Sequence, residues 1–202
     1  MYHRGFIIKK KLNNSGFGLI ELLVSLSILA LVFSTIMVRQ DSFNGAVLLR
    51  NQTYEIAMHI REIQFYAVSI LGNSGDFNDS YGLYFNKTAS NNTSYKVYRD
   101  TSDHYYSSTE EFGVQGKLDP RFEISDIRTV DNSGSESSID DVSVTFVRPN
   151  FDARFFSSAN TEIGGISALE IDVRLKGTSG TGLGKVRTIE ITKTGQITIQ
   201  SP

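Results

Sequence analysis

From Phe17 to Val38 the chain reads FGLIELLVSLSILALVFSTIMV, 22 residues with a single charge, Glu21. A helix of that length spans about 33 Å, enough to cross a hydrocarbon core of about 30 Å. Beyond Val38 the continuous apolar run becomes a periodic one. Ala46, Leu49, Thr53, Ile56, Ile60, Ile63, Ala67 and Ile70 recur at alternating steps of three and four. That is one face of a 3.6-residue helix, with Arg50, Glu55, Arg61 and Glu62 off the stripe. Gly72-Asn73-Ser74-Gly75 is a stop signal. The pattern predicts one helix over 17–71, about 80 Å long. Gly45 is its weak point, where it can bend or melt. The stripe can seat a globular domain or pack against other helices. The second half is expected to carry the domain and the first half to pack against other subunits.

Past Gly75 the period changes to two. Tyr81–Phe85 and Tyr95–Arg99 flank the polar stretch Asn86–Ser94 and predict a hairpin with a long connection. Phe122–Ile127, Val142–Val147 and Leu169–Leu175 alternate as strands. In the last, Leu169, Ile171, Val173 and Leu175 form one face, and Glu170, Asp172 and Arg174 the other. Such alternation predicts an antiparallel sheet with one wet face. Val186–Thr192 and Gln196–Gln200 form a terminal pair around Thr194-Gly195, and Asp131–Asp141 (DNSGSESSIDD) reads as a solvated loop. The expected fold class is α+β: a long N-terminal helix, membrane-spanning in its first half, packed on a small antiparallel sheet or sandwich. The expected segments are a basic leader at 1–16, a transmembrane helix at 17–38, its amphipathic continuation at 39–71 and a β-rich domain at 76–202.

The flanks orient the span. Residues 1–16 carry Arg4, Lys9, Lys10 and Lys11 and no acid, whereas only Arg39 lies just after the span. The positive-inside rule places the N-terminus in the cytoplasm and the remainder outside. The run is longer than a secretory signal's apolar core and no A-x-A-like site follows it, which leaves a signal anchor as the plain alternative. Glu21 argues for more. A carboxylate inside an apolar span costs about 2.5–3.5 kcal/mol near a helix centre and less near an end, so it either snorkels to the headgroups or has a partner.

Composition removes other chemistries. Among the 202 residues there is no cysteine and there are three histidines, which excludes disulfides, thiol catalysis and Cys-built metal sites. The 20 basic and 22 acidic side chains give a formal charge of −2, and loss of the leader's four basic residues would leave −6. Phosphate attraction is poor at that charge, so DNA is not an expected partner, although Arg174, Lys176, Lys185 and Arg187 could form a small patch. Gly177–Lys185 fails as a phosphate loop: Ser179 stands where glycine is needed, and Val186 follows the lysine. Asp100–Glu111 has the length of an EF-hand calcium loop, but Tyr105 replaces its glycine and His104 is a poor ligand. It reads as an acidic connection. His59 lies beside the apolar stripe and reads as structural. The sequons Asn86-Lys87-Thr88 and Asn91-Asn92-Thr93 read as chance. No catalytic motif, metal site or cofactor site is expected, and the chain reads as not an enzyme.

Ser15-Gly16-Phe17-Gly18-Leu19-Ile20-Glu21-Leu22-Leu23-Val24, after a short basic leader, resembles the N-terminal signature of type IV prepilins and type II secretion pseudopilins. The resemblance implies cleavage between Gly16 and Phe17 by a prepilin peptidase, N-methylation of Phe17, and an assembly role for Glu21. Gly18 departs from the Thr commoner at that position. A new ammonium at Phe17 could be neutralised by a neighbour's Glu21, an ion pair that fixes stagger more than it adds stability. The YGLYF strand, the second strand Val97-Tyr98-Arg99-Asp100 and the closing strands from Lys185 and Gly195 resemble minor pseudopilins of the GspH/FimT type more loosely. The implied function is a structural subunit of a type IV pilus or secretion pseudopilus. Its implied partners are the peptidase, other pilin subunits, the assembly machinery and the cytoplasmic membrane. The alternative is a membrane-anchored extracytoplasmic binding module that never assembles.

Overall fold

The computed structural model describes residues 18–69, 80–101, 103–147, 151–178 and 185–200. Helix α1 runs without interruption over Leu19–Val68. It passes through Gly45, where an added methyl would make only ordinary contact, 3.7 Å from Leu175 Cδ2. Leu71 and the Gly72–Gly75 stop signal lie outside the described residues. The chain divides into a unit up to Asp41 and a second from Ser42 onward.

Among the described residues of the second unit, eleven strands form two antiparallel sheets. They are β1 (Ser80–Asn86), β2 (Ser94–Asp100), β3 (Gly116–Lys117), β4 (Phe122–Asp131), β5 (Glu136–Ser138), β6 (Asp141–Phe146), β7 (Ala153–Ser158), β8 (Thr161–Glu162), β9 (Ile166–Leu175), β10 (Val186–Thr192) and β11 (Ile197–Gln200). The first sheet has the order β3-β2-β1-β6-β7-β8 and the second β11-β10-β9-β4-β5. The arrangement is α+β, as the periodicities imply.

The helix stripe is core. Leu49, Ile56, Ala57, Ile60, Ile63 and Ala67 join one apolar cluster with Leu83, Phe85, Val144 and Phe146 of the first sheet and Leu169, Ile171, Val173, Ile189 and Ile191 of the second. Polar tethers fix the register of this seat. Asp119 N donates to Gln52 Oε1 at 3.0 Å, and Arg61 Nη2 donates to Ile197 O at 3.0 Å. Gln64 Nε2 donates to both Phe151 O and Gly195 O at 2.9 Å. Gly195 is required there: its φ is +79°, and a Cβ would lie 1.9 Å from Phe151 O.

The hairpin of β1 and β2 pairs Gly82 directly with Tyr98. A Cβ on Gly82 would meet the Tyr98 ring at 2.6 Å, so the small residue makes room for the large one. Tyr98 cannot retreat easily. Its hydroxyl bonds Thr145 Oγ1 at 2.9 Å and donates to His104 O at 3.0 Å. Over the same sheet, Tyr106 stacks on Tyr84 with centroids 4.8 Å apart and Tyr105 meets Tyr84 edge-on at 5.8 Å. The long hairpin connection is also stitched: Asn86 is buried, and its Oδ1 accepts from Thr88 N at 2.7 Å.

Two expectations are corrected and one strand is new. Asp131–Asp141 is not wholly loop. Asp131 Oδ1 collects the amides of Ser133 and Ser135 into a tight turn, and Glu136–Ser138 then pairs with Arg128–Val130 as β5. β7, which carries the adjacent buried pair Phe155-Phe156, was not expected as a strand. The second sheet's polar face is not simply wet, because Asp172 on it is buried.

Candidate functional site

The signature residues Gly16 and Phe17, and the basic leader before them, lie outside the described residues. Described geometry begins at Gly18, whose carbonyl accepts from Glu21 N at 3.0 Å and Leu22 N at 3.1 Å. Those bonds start α1, and they put Glu21 in its first turn. The unpaired amides there carry the positive end of the helix dipole, which favours a carboxylate at that place. Glu21 is exposed, and among the described residues its carboxylate has no hydrogen-bond or ion-pair partner.

Downstream, Leu19–Met37 is long and apolar enough to cross a membrane, and none of it is buried against the described protein. Leu, Ile, Val and Phe side chains point outward on every side of the helix. A helix apolar all round belongs in lipid or among other helices, not in water. Three of its hydroxyl groups are satisfied within the helix. Ser25, Ser27 and Thr35 return their hydroxyl protons to the carbonyls of Glu21, Leu23 and Val32 at 2.7–2.8 Å. Glu21 is the one charge left on the described part of this span.

The other places singled out by sequence are structural. Asp100 is buried and accepts from His104 N at 3.0 Å and from His104 Nδ1. His104, held at φ +61°, also packs its ring on Phe156. Glu110 Oε1 accepts from Thr101 N at 3.0 Å. Glu111 accepts from Lys96 Nζ at 2.9 Å and Tyr106 Oη at 2.7 Å, which holds its carboxyl below the usual range. The acids of this connection therefore pin it over the first sheet. His59 Nδ1 bonds Tyr95 Oη at 2.8 Å at the helix–sheet junction, and burial pushes the Tyr95 phenol well up. Of the basic patch, Arg174 is committed to Glu123 at 2.7 Å. Most of the Gly-rich stretch, residues 179–184, lies outside the described residues.

Sequence reasoning missed a charge cluster on the second sheet. Arg128 bridges Asp172 at 2.5 Å, Glu170 at 2.8 Å and Glu136 at 2.9 Å. Burial alone would lower the guanidinium's pKa, but Asp172 and Glu170 raise it above its ordinary value. The visible signal was the run of charges at alternate positions in β4 and β9. What the sequence lacked was the register that places Arg128 opposite Glu170.

Residues 11–37 match the family model described as the prokaryotic N-terminal methylation motif. No curated protein and no solved structure matches the chain. The match spans Gly16, Phe17 and Glu21 and runs into the exposed apolar helix. The chain carries a type IV prepilin-like signal. Motif and helix together support a type IV pilin-like subunit, structural in kind, and fit an anchor in the inner membrane.

Proposed function

We propose that this chain is a minor pilin or pseudopilin, a structural subunit of a type IV pilus or a type II secretion pseudopilus. The observation that carries the proposal is the methylation-motif match running directly into the outwardly apolar span Leu19–Met37, whose one charge is Glu21. In this reading the leader 1–16 is removed after Gly16 by a prepilin peptidase and Phe17 is N-methylated. The helix first holds the chain in the inner membrane, with the β-rich part outside. It then leaves lipid to pack among the helices of other subunits. A GspH/FimT-like subtype is supported by the β1–β2 hairpin with its tyrosine-rich covering loop and by the closing pair β10–β11.

Glu21 has a specific task in this scheme. A carboxylate in lipid is costly without a counter-charge. The ammonium created at Phe17 of an adjacent subunit supplies one, and the pair sets axial stagger because any other stagger strands both charges. The test is incorporation of Glu21→Ala into filaments, in a strain carrying the cognate assembly genes. The variant is expected to be made, cleaved and inserted, yet to be absent from sheared filaments. Normal incorporation would refute the role given to Glu21.

A further inference from the structure

Opposite the buried stripe of α1 lies a second one that stays outside the core, bordered on one side by β11. Val47, Tyr54, Met58 and Phe65 are 41, 48, 61 and 64% exposed, although they belong to the well-packed half of the helix. With Asn51 and Arg61 they recur at 47, 51, 54, 58, 61 and 65, in steps of four and three. That is the seam spacing of a coiled coil, carried for about 27 Å. Arg61 is the one charged member, and its guanidinium is tied to β11 through Ile197 O. Asn51 is the polar seam residue of a kind that fixes register in such pairs.

The edges of the stripe are charged with opposite sign. Arg50 flanks one side, its guanidinium 5.5 Å from the centre of the Tyr54 ring. Glu55 and Glu62 flank the other, both exposed. Two such helices can meet face to face in two ways. Antiparallel packing sets the acidic edge of one against the acidic edge of the other. Parallel packing sets basic against acidic on both sides. Arg50 and Glu55 differ by five residues, the offset at which flanking residues of parallel helices meet across a seam.

We propose that two copies of this chain pair in parallel through the stripe Val47–Phe65, with Arg50 of each facing Glu55 of the other. Pairing needs neither cleavage at Gly16 nor a filament, so it goes beyond the function proposed above. An apolar row this long on a helix already seated on its own core marks an interaction face, and the split charge selects a second copy in the same orientation as its occupant.

The absence of cysteine makes the test clean. Full-length chain carrying Met58→Cys or Phe65→Cys is expressed in a host without prepilin peptidase, and its membranes are oxidised. Disulfide-linked homodimer is expected from both. Asn132→Cys, exposed in the turn between β4 and β5, is expected to stay monomeric. Arg50→Glu or Glu55→Arg added to Met58→Cys should lower dimer yield about fivefold, since each change loses two symmetric pairs and creates repulsion. The double change R50E/E55R should restore it. All substituted positions are exposed, and an unchanged melting curve verifies the fold. Equal cross-linking of Asn132→Cys, no dimer from either stripe variant, a product with a different protein, or failure of the double change to recover yield would each overturn the proposal.

Discussion

Two residues on one helix, two positions apart, should behave oppositely. Ile60 is fully buried in the shared core, whereas Met58 is 61% exposed on the opposite face. Ile60→Ala deletes three carbons. At about 0.8 kcal/mol each their transfer is worth about 2.4 kcal/mol. A partly collapsed cavity adds about 1 kcal/mol, for a total near 3.5 kcal/mol. For a unit of about 160 residues, unfolding entropy near 60 °C is about 0.34 kcal/mol/K, so Tm should fall by about 10 °C. Met58→Ala removes a side chain that already faces outward and should cost under about 0.5 kcal/mol. Near-UV circular dichroism of the tyrosines, followed on the detergent-solubilised full chain, reads both. If Met58→Ala melted as low as Ile60→Ala, the assignment of core face and open face on α1 would be wrong.

Other perturbations address the charges. Arg128→Ala leaves Glu170 and the buried Asp172 facing each other without a counter-charge, and should destabilise by about 3 kcal/mol in chemical denaturation; a change under about 0.5 kcal/mol would show that the cluster does not hold β4 to β9. Asp119 is held down by the forked hydrogen bond from Arg121, to about 2. Carboxyl NMR should find it still ionised at pH 3, and titration near the ordinary value of about 3.9 would show the fork is not formed. Asp126 is also lowered: burial pushes its carboxyl up, but hydrogen bonds from Ser138 and Lys87 outweigh burial. A depressed carboxyl contributes stability that is full above its unfolded pKa and is lost as pH falls through the folded one. Stability should therefore decline as pH falls below about 4; denaturant midpoints unchanged between pH 5 and pH 3 would contradict this.

The architecture was legible where a single period dominated. The steps of three and four from Leu49 to Ala67 announced the core face of α1. Alternation announced β6, β9 and the start of β4, whose pattern breaks at the register shift between Ile124 and Asp126. It failed where neighbours rather than the strand itself decide burial. Phe155 and Phe156 are adjacent and both buried, because the His104 ring covers the face that would otherwise be wet. Glu136–Ser138 is polar throughout and becomes a strand only because Asp131 ties the turn before it. Asp172 obeyed the alternation but not its usual meaning, since Arg128 on the next strand and Thr188 on the other side enclose it. The signature at Gly16, Phe17 and Glu21 was legible because it is local and contiguous. The outer stripe on α1 was hidden in plain sequence, since Val47, Tyr54, Met58 and Phe65 stand out only once the opposite face is known to be filled.

The most direct test of the central claim is the N-terminus of the native polypeptide. Mass spectrometry of the chain purified from a cell with an active prepilin peptidase should find a terminus at N-methylated Phe17. A native chain that still begins at Met1 and retains Lys9, Lys10 and Lys11 would contradict the account.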